Sequence, residues 1–217
     1  MRKVLSFAAV AASAVAVVAA VAPAQAATGH VLTVGKAGGT AVKTGAVLKA
    51  GLAKGASVVF AAPAETLTCK SASFSAKVKT NPTKPGKATE SQTSQSLSKC
   101  TVNVTGVTVK SVKVNNLPYD VTVSDSKGDP VTISGSSKSK PLSFTVSVSV
   151  TGVGTVTCTS TAASIKGTSS NKGNTITFTK QKFTSSGGLC GSGGTFSATF
   201  GPVKDTSVKG SPAVFVN

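Results

Sequence analysis

The chain has 217 residues, a net charge of +17, one histidine, one tyrosine and no tryptophan. With six carboxylates and a single histidine, it offers few groups for acid–base catalysis, a serine triad or a zinc site. It also lacks the exposed aromatic rings on which sugar-binding modules and single-strand nucleic-acid-binding proteins stack their ligands, because Tyr119 lies on an apolar strand face and is expected in the core.

The first 26 residues have the pattern of a secretory signal peptide. Two basic residues precede an uncharged run rich in alanine and valine, and an Ala-Gln-Ala cleavage site ends at Ala26. No later run approaches the roughly 18 apolar residues that a membrane span requires. We therefore expect a secreted, extracellular protein of 191 residues that begins at Ala27 and has no transmembrane segment after cleavage.

The charge of the mature chain comes from lysine alone. Removal of the signal leaves 21 lysines, no arginine and six carboxylates, which is a net charge of +15. Lysine acts as a point charge, whereas the planar fork of arginine recognises phosphate and carboxylate in a fixed geometry. A lysine-only surface indicates diffuse attraction to polyanions, or solubility, and gives no sign of sequence-specific nucleic-acid binding.

All four cysteines lie beyond the signal peptide, and an even number in an oxidising compartment indicates disulfides. Of the three possible connectivities, we predict Cys69–Cys100 and Cys158–Cys190, because the two separations of 31 and 32 residues nearly match. Three of the four cysteines share the apolar face of their predicted strand, which places the bonds inside the fold.

Apolar and polar residues alternate over many short stretches, most regularly in Phe144–Val150, and turn signals recur about every 8–12 residues. No helical period is present beyond the signal. The pattern predicts a single all-β domain over residues 27–217, a sandwich or distorted barrel of many short antiparallel strands with two internal disulfides. The matched cysteine spacings also suggest an internal repeat, with two related halves at about residues 60–115 and 150–205.

A polar segment over residues 80–95 separates the first two cysteines, and we predict that it forms an exposed loop. Two dipeptides with strong turn signals, Asn-Pro and Pro-Gly, stand at its beginning. The candidate exposed residues of this loop are Asn81, Pro82, Lys84, Pro85, Gly86 and Lys87.

No constellation of residues indicates catalysis, a metal or a cofactor. The closest carboxylate pair, Asp125 and Asp129, falls in a tight turn, where aspartate usually caps backbone groups. The single histidine, His30, stands near the predicted mature N-terminus. Glycines over residues 187–194 are expected to let the chain turn beside the buried Cys190. We therefore predict that the protein is not an enzyme and uses no cofactor.

Five strings of the sequence are informative together: VGKAGGTAVKTGAVL, LTCKSASFSAKV, NPTKPGKATES, SKCTVNVTGV and VNNLPYDVTV. They resemble a family of secreted streptomycete proteins that carry an export signal and have no assigned activity. The resemblance covers about residues 31–135 and implies an exported, disulfide-bonded actinomycete β protein, with no catalytic residues to carry over. Members of this family are often labelled as twin-arginine substrates, whereas this chain has Arg2-Lys3, which leaves the export route open between Sec and Tat.

The function expected from these observations is non-catalytic binding by a secreted or cell-surface protein. Its basic surface would meet the anionic polymers of a Gram-positive cell wall. Two alternatives remain open. One is a protease inhibitor that uses the disulfide-braced loop 80–95, and the other is a small-ligand carrier, which requires an apolar cavity.

Overall fold

The computed structural model describes residues 29–187 and 190–217, and in that part of the chain it contains strands and turns without any helix. It follows that no membrane-spanning helix is found among the described residues. The predicted signal peptide, residues 1–26, lies outside them. The sixteen described strands are β1 (Leu32–Val34), β2 (Thr40–Ala41), β3 (Val47–Gly51), β4 (Val58–Ala61), β5 (Thr66–Thr80), β6 (Lys87–Val102), β7 (Val107–Asn115), β8 (Tyr119–Ser124), β9 (Pro130–Ser134), β10 (Leu142–Val150), β11 (Gly154–Ala162), β12 (Ser164–Ser170), β13 (Thr175–Ser186), β14 (Gly193–Phe200), β15 (Lys204–Asp205) and β16 (Val214–Val216).

Eight of these strands close into an antiparallel barrel, which confirms the predicted all-β fold with a barrel architecture. The order around the barrel is β12-β9-β8-β6-β5-β4-β14-β13, and β13 pairs again with β12 to complete the ring. Closure gives each strand of the barrel a hydrogen-bonded neighbour on both sides over part of its length.

The barrel interior is filled by side chains that alternate along each strand, because successive residues of a strand point to opposite faces. In β8, Tyr119, Val121 and Val123 are all buried, and in β14 Phe196 and Phe200 are buried in the same way. The single tyrosine is therefore part of the core, as its position on an apolar strand face predicts.

A second group of strands extends from one side of the barrel. β11 pairs with the last three residues of β13, β10 pairs with β11, and β7 pairs with β10. Within the described residues β7 has no other hydrogen-bonded neighbour. One face of this extended sheet carries mainly serine and threonine, while the other carries the valines of β10, such as Val146 and Val148.

The β5–β6 hairpin is the longest element of the fold and occupies most of the segment predicted as a loop. Its turn is confined to residues 81–86, so the prediction of an exposed loop over 80–95 is wrong from Lys87 onward. The error has a physical reason, since two of the inward positions of β6 are polar and hide the alternation that marks a strand. These buried inward residues are Ala88, Glu90 and Gln92.

Both predicted disulfides are present. Cys69 and Cys100 face each other across β5 and β6, and Cys158 on β11 is bonded to Cys190 in the segment that precedes β14. In each bond one cysteine is buried, Cys69 or Cys190, and its partner is half-buried. The bonds therefore lie within the fold.

The two predicted halves, residues 60–115 and 150–205, share one continuous sheet. β4 is hydrogen-bonded to β14 on one side and to β5 on the other, while β10 connects β7 to β11. Strands from both halves thus build the same barrel and the same extension. A sequence relation between the halves stays a prediction.

A three-stranded sheet, β16-β1-β2, closes the end of the barrel beside the 81–86 turn. Leu32, Val214 and Val216 of this sheet are buried against the barrel interior. The amide of Asn81 donates to the carbonyl oxygens of Leu32 at 2.8 Å and Val42 at 2.9 Å, and so ties the turn to the closing sheet.

Replacing Cys69 and Cys100 by serine is expected to lower the free energy of unfolding by about 3–4 kcal/mol. The reason is that the bond restricts a 31-residue segment of the unfolded chain. Urea denaturation followed by circular dichroism measures the change. The matched control replaces Cys158 and Cys190, which enclose a segment of nearly the same length and should produce a similar loss. Unchanged denaturation midpoints in both variants would contradict this account.

Candidate functional site

The residues predicted to be exposed in the first loop lie in and beside the short 81–86 turn, where three of them are exposed and three are partly buried. The turn's backbone is already engaged: the Lys84 N–H donates to the carbonyl of Gly29 at 2.8 Å, and the Gly86 N–H donates to the Asp125 carboxylate at 3.0 Å. A loop that enters a protease cleft needs a free extended backbone. The inhibitor hypothesis therefore gains no support from this turn.

His30 and the glycines beside Cys190, the other candidates for chemistry, have structural roles. The Nδ1 atom of His30 lies 2.8 Å from the carbonyl oxygen of Asn81. A Cβ atom added to Gly187, which has a φ of +120°, would stand 2.8 Å from the sulfur of Cys190, so glycine is needed beside this disulfide. Among the described residues no group of three or more His, Cys, Asp or Glu side chains could hold a metal ion.

An open cleft, called here the valine cleft, lies between the extended sheet and the β4–β6 side of the barrel. Its volume is about 290 Å³. All seven valines in its walls are only half-buried, and of these only Val146 packs against the described hydrophobic core. The seven are Val102, Val104, Val107, Val146, Val148, Val150 and Val156.

The valine cleft exists because two consecutive strands separate. One edge of β6 pairs with β5 as far as Val102. The opposite edge pairs with β8 only over residues 87–92, so that beyond Gln92 this edge has no hydrogen-bonded neighbour in the described structure. The following strand, β7, pairs with β10 instead of returning along β6. The apolar side chains near this separation are therefore not covered by a neighbouring strand.

Three phenylalanines form the floor of the valine cleft. The ring centroids of Phe60 and Phe144 are 4.2 Å apart, and those of Phe144 and Phe183 are 5.2 Å apart. The hydroxyls of Ser160 and Ser185 lie 2.8 Å from each other and satisfy one another, and the other polar side chains of the lining are those of Glu65 and Thr195. The cleft therefore presents aliphatic walls and an aromatic floor.

A second space, called here the inner cavity, lies on the barrel side of the same three phenylalanine rings. Its volume is about 90 Å³, and most of its lining is apolar. The polar side chains that reach it are those of Glu90, Gln92, Gln95, Tyr119 and Ser143. The inner cavity thus combines an apolar wall with a small polar cluster.

Glu90 is the unusual member of this cluster. Its side chain is 6% exposed and makes no hydrogen bond with any described residue. Its cross-strand neighbours on both sides are valines, Val78 and Val121. Burial in these surroundings disfavours the charged form and raises the pKa of Glu90 from 4.5 to about 7.

The other polar groups of the inner cavity have partners. Gln92 Nε2 donates to Gln95 Oε1 at 2.7 Å, and the N–H of Ser143 donates to the Tyr119 hydroxyl at 3.0 Å. Burial raises the pKa of Tyr119, an effect that its hydrogen bond to the backbone of Ser143 partly opposes. Tyr119 therefore stays uncharged at neutral pH, and Glu90 is the carboxyl group of the cavity.

Sequence patterning predicts neither part of this site. The valines of β10 were predicted as one face of a half-buried strand, but alternation does not tell which faces a second layer covers. Glu90 was placed in an exposed loop. The available signal was the period-two run of Ala88, Glu90 and Gln92, in which polar residues occupy inward positions.

Replacing Glu90 by glutamine is expected to remove a pH dependence of stability. Between pH 4.5 and about 7 the unfolded chain loses the Glu90 proton while the folded protein keeps it, so stability falls as pH rises. The wild type should lose about 3 kcal/mol from this group across the window, and the glutamine variant should not. Urea denaturation at pH 4, 6 and 8 measures the difference. Parallel stability curves for the two proteins would contradict it.

Comparison of the chain with protein-family models, with curated proteins and with solved structures gives no match. A functional proposal therefore depends on the chemistry of the valine cleft and the inner cavity.

Proposed function

We propose that this protein binds a small apolar molecule in the valine cleft and acts as a non-catalytic carrier. The observation that supports the proposal most directly is the set of seven half-buried valines that converge on one open concave surface. Proteins rarely leave apolar side chains clustered in a cleft unless a ligand or a partner covers them.

The size and lining of the cleft favour a small ligand with a flat apolar part. Its volume of about 290 Å³ lies just below the usual range of ligand pockets, which is roughly 300–1,000 Å³. The rings of Phe60 and Phe144 offer an aromatic surface against which a planar group could stack. The strands that carry these residues belong to a closed or extended sheet, so the site is largely pre-formed.

The proposed place of action is outside the cell. The signal-peptide pattern of residues 1–26 supports export, and two disulfides fit an oxidising compartment. The resemblance to exported actinomycete proteins agrees with this. A carrier of this kind would hold a poorly soluble molecule in the medium or at the cell surface.

Replacing Val148 by phenylalanine is expected to weaken binding of an apolar probe at least tenfold, because the larger side chain takes up space in the cleft that Val148 lines. Fluorescence titration with the neutral dye N-phenyl-1-naphthylamine measures the dissociation constant. The matched control is Val153→Phe, since Val153 is 63% exposed in the turn after β10 and lies outside the cleft. Equal affinities for the two variants, or no binding by the wild type, would refute the proposal.

A second candidate function is binding to anionic cell-wall polymers. It is favoured by the scarcity of ion pairs among the lysines of the described residues. All 21 lysines of the predicted mature chain lie in described residues, and Lys79 alone forms an ion pair there, with Asp120 at 2.7 Å. The others remain available for diffuse attraction to a polyanion. Such attraction would retain a carrier near the wall without a specific site.

Retention on the wall is expected to depend strongly on salt. Protein without its signal peptide should sediment with purified Gram-positive walls at low ionic strength and be released by about 0.5 M salt, because screening shortens the reach of surface charges. Walls stripped of teichoic acid should retain less. Sedimentation followed by protein quantification measures this, and the absence of binding at low salt would remove the second candidate.

A further inference from the structure

We infer that an outward-facing groove on strands β15, β3, β5 and β6, called here the lysine groove, binds the phosphate groups of a polyol-phosphate chain. The inference rests on the second candidate function, wall binding, and adds one selective site to the diffuse attraction described there. It is independent of the valine cleft, with which the lysine groove shares no lining residue.

The lysine groove is built around a row of side chains that crosses four neighbouring strands. Lys204 on β15 is the cross-strand partner of Lys49 on β3. Lys49 is in turn opposite Ser75 on β5, and Ser75 is opposite Ser94 on β6. All four are exposed or half-buried and line one open groove of about 540 Å³, whereas Leu48 beside Lys49 is buried in the core. With strands about 4.8 Å apart, the row is roughly 14 Å long.

The first argument is the juxtaposition of two positive charges. Like charges directly opposite one another on a sheet are destabilising. Neither Lys49 nor Lys204 forms an ion pair with a described residue, and no carboxylate is among the described residues that line the groove. The carboxylate next along the chain, Asp205, is 2% exposed and accepts a hydrogen bond from the Ser207 N–H at 2.9 Å. An anion between the two ammonium groups would offset their repulsion.

The second argument is the supply of hydrogen-bond donors beside the lysines. The hydroxyls of Ser75 and Ser94 continue the row and line the groove. In the next row on the same face, by contrast, the hydroxyls of Ser73 and Ser96 lie 2.8 Å apart and satisfy one another. An ammonium group has three donors and a hydroxyl has one, so that the row can donate to several oxygens of an anion.

The third argument selects phosphate among the possible anions. Lysine binds phosphate as a point charge, whereas the planar fork of arginine, which the predicted mature chain lacks, is the better match for a carboxylate. The row is also longer than one phosphate group. It therefore suits a chain that carries phosphates at intervals better than a single small anion.

The fourth argument favours a polyol chain over a nucleic acid. Proteins that hold single-stranded nucleic acids stack the bases on exposed aromatic rings. The only described aromatic residue in the lining is Phe74, whose ring centroid lies 5.4 Å from that of the buried Phe200. The other uncharged residues of the lining are alanine, glycine, proline, serine and threonine. Such a lining offers room and hydroxyl groups to a polyol, and no surface for bases.

The test compares two double variants that remove the same charge. Lys49→Gln/Lys204→Gln alters the groove, and the control Lys110→Gln/Lys113→Gln alters two exposed lysines of β7 outside it. Isothermal titration calorimetry with a synthetic glycerol phosphate decamer at about 0.1 M salt measures the dissociation constant. The groove variant is expected to bind at least tenfold more weakly than the wild type, and the control within twofold of it. If the double variant does not fold, Lys204→Gln alone should weaken binding at least threefold.

Two probes of matched length identify the anion: a thymidine oligonucleotide and a glutamate oligomer. The wild type is expected to prefer the glycerol phosphate chain to both, and the groove variant should lose this preference. Equal losses of affinity in the two double variants would overturn the lysine groove and leave diffuse wall binding intact. A preference of the wild type for either of the other probes would overturn the polyol-phosphate assignment. Failure to bind both the decamer and purified walls at low salt would remove the second candidate function, and this inference with it.

Discussion

The unequal lengths of two neighbouring strands, β6 and β8, determine where the valine cleft lies. β6 extends over sixteen residues, whereas β8 beside it has six and covers only the first part of β6. Beyond Gln92 the edge of β6 that faces away from β5 has no hydrogen-bonded neighbour in the described structure, because β7 pairs with β10 instead. The valine cleft follows from this separation, and Cys69–Cys100 holds β6 to β5 in the same region.

Charge is distributed in opposite ways on the surface and in the interior. The exterior carries the lysines of the predicted mature chain, and the interior holds the carboxyl group of Glu90, with no basic side chain among the described residues that line the inner cavity. An unpaired buried acid lowers the stability of a fold, and proteins retain such groups chiefly where they serve a site. Phe60, Phe144 and Phe183 separate the valine cleft from the inner cavity that Glu90 lines.

The basic surface and the cleft can serve one protein without conflict. Lysines spread over the whole surface act over a distance and without selectivity, whereas the cleft acts by contact. Attraction to a polyanionic wall would set where a carrier resides, and the cleft would set what it holds. Neither role needs a catalytic group, and the carboxylates Asp120 and Asp125 are engaged in contacts with Lys79 and with the Gly86 backbone.

Local patterning predicted much of the fold correctly. The strands around Tyr119, Phe144 and Phe196 were found from alternation, because each has a continuous apolar face. The pairing of the cysteines followed from their matched separations. The hairpin strand β6 was predicted as a loop, since its inward residues include Glu90 and Gln92, and period-two patterning is recognised only when the buried face is apolar.

The sequence by itself determined the fold class, the two disulfides and the lysine-only charge, because these depend on residue type and spacing along the chain. The tertiary structure alone decided which apolar faces are covered and which polar residue is buried. Alternation tells which side chains share a face of a strand, but not which strand or layer lies against that face. That is why the valines of β10 open onto a cleft instead of a core, and why Glu90 lies inside the barrel instead of in solvent.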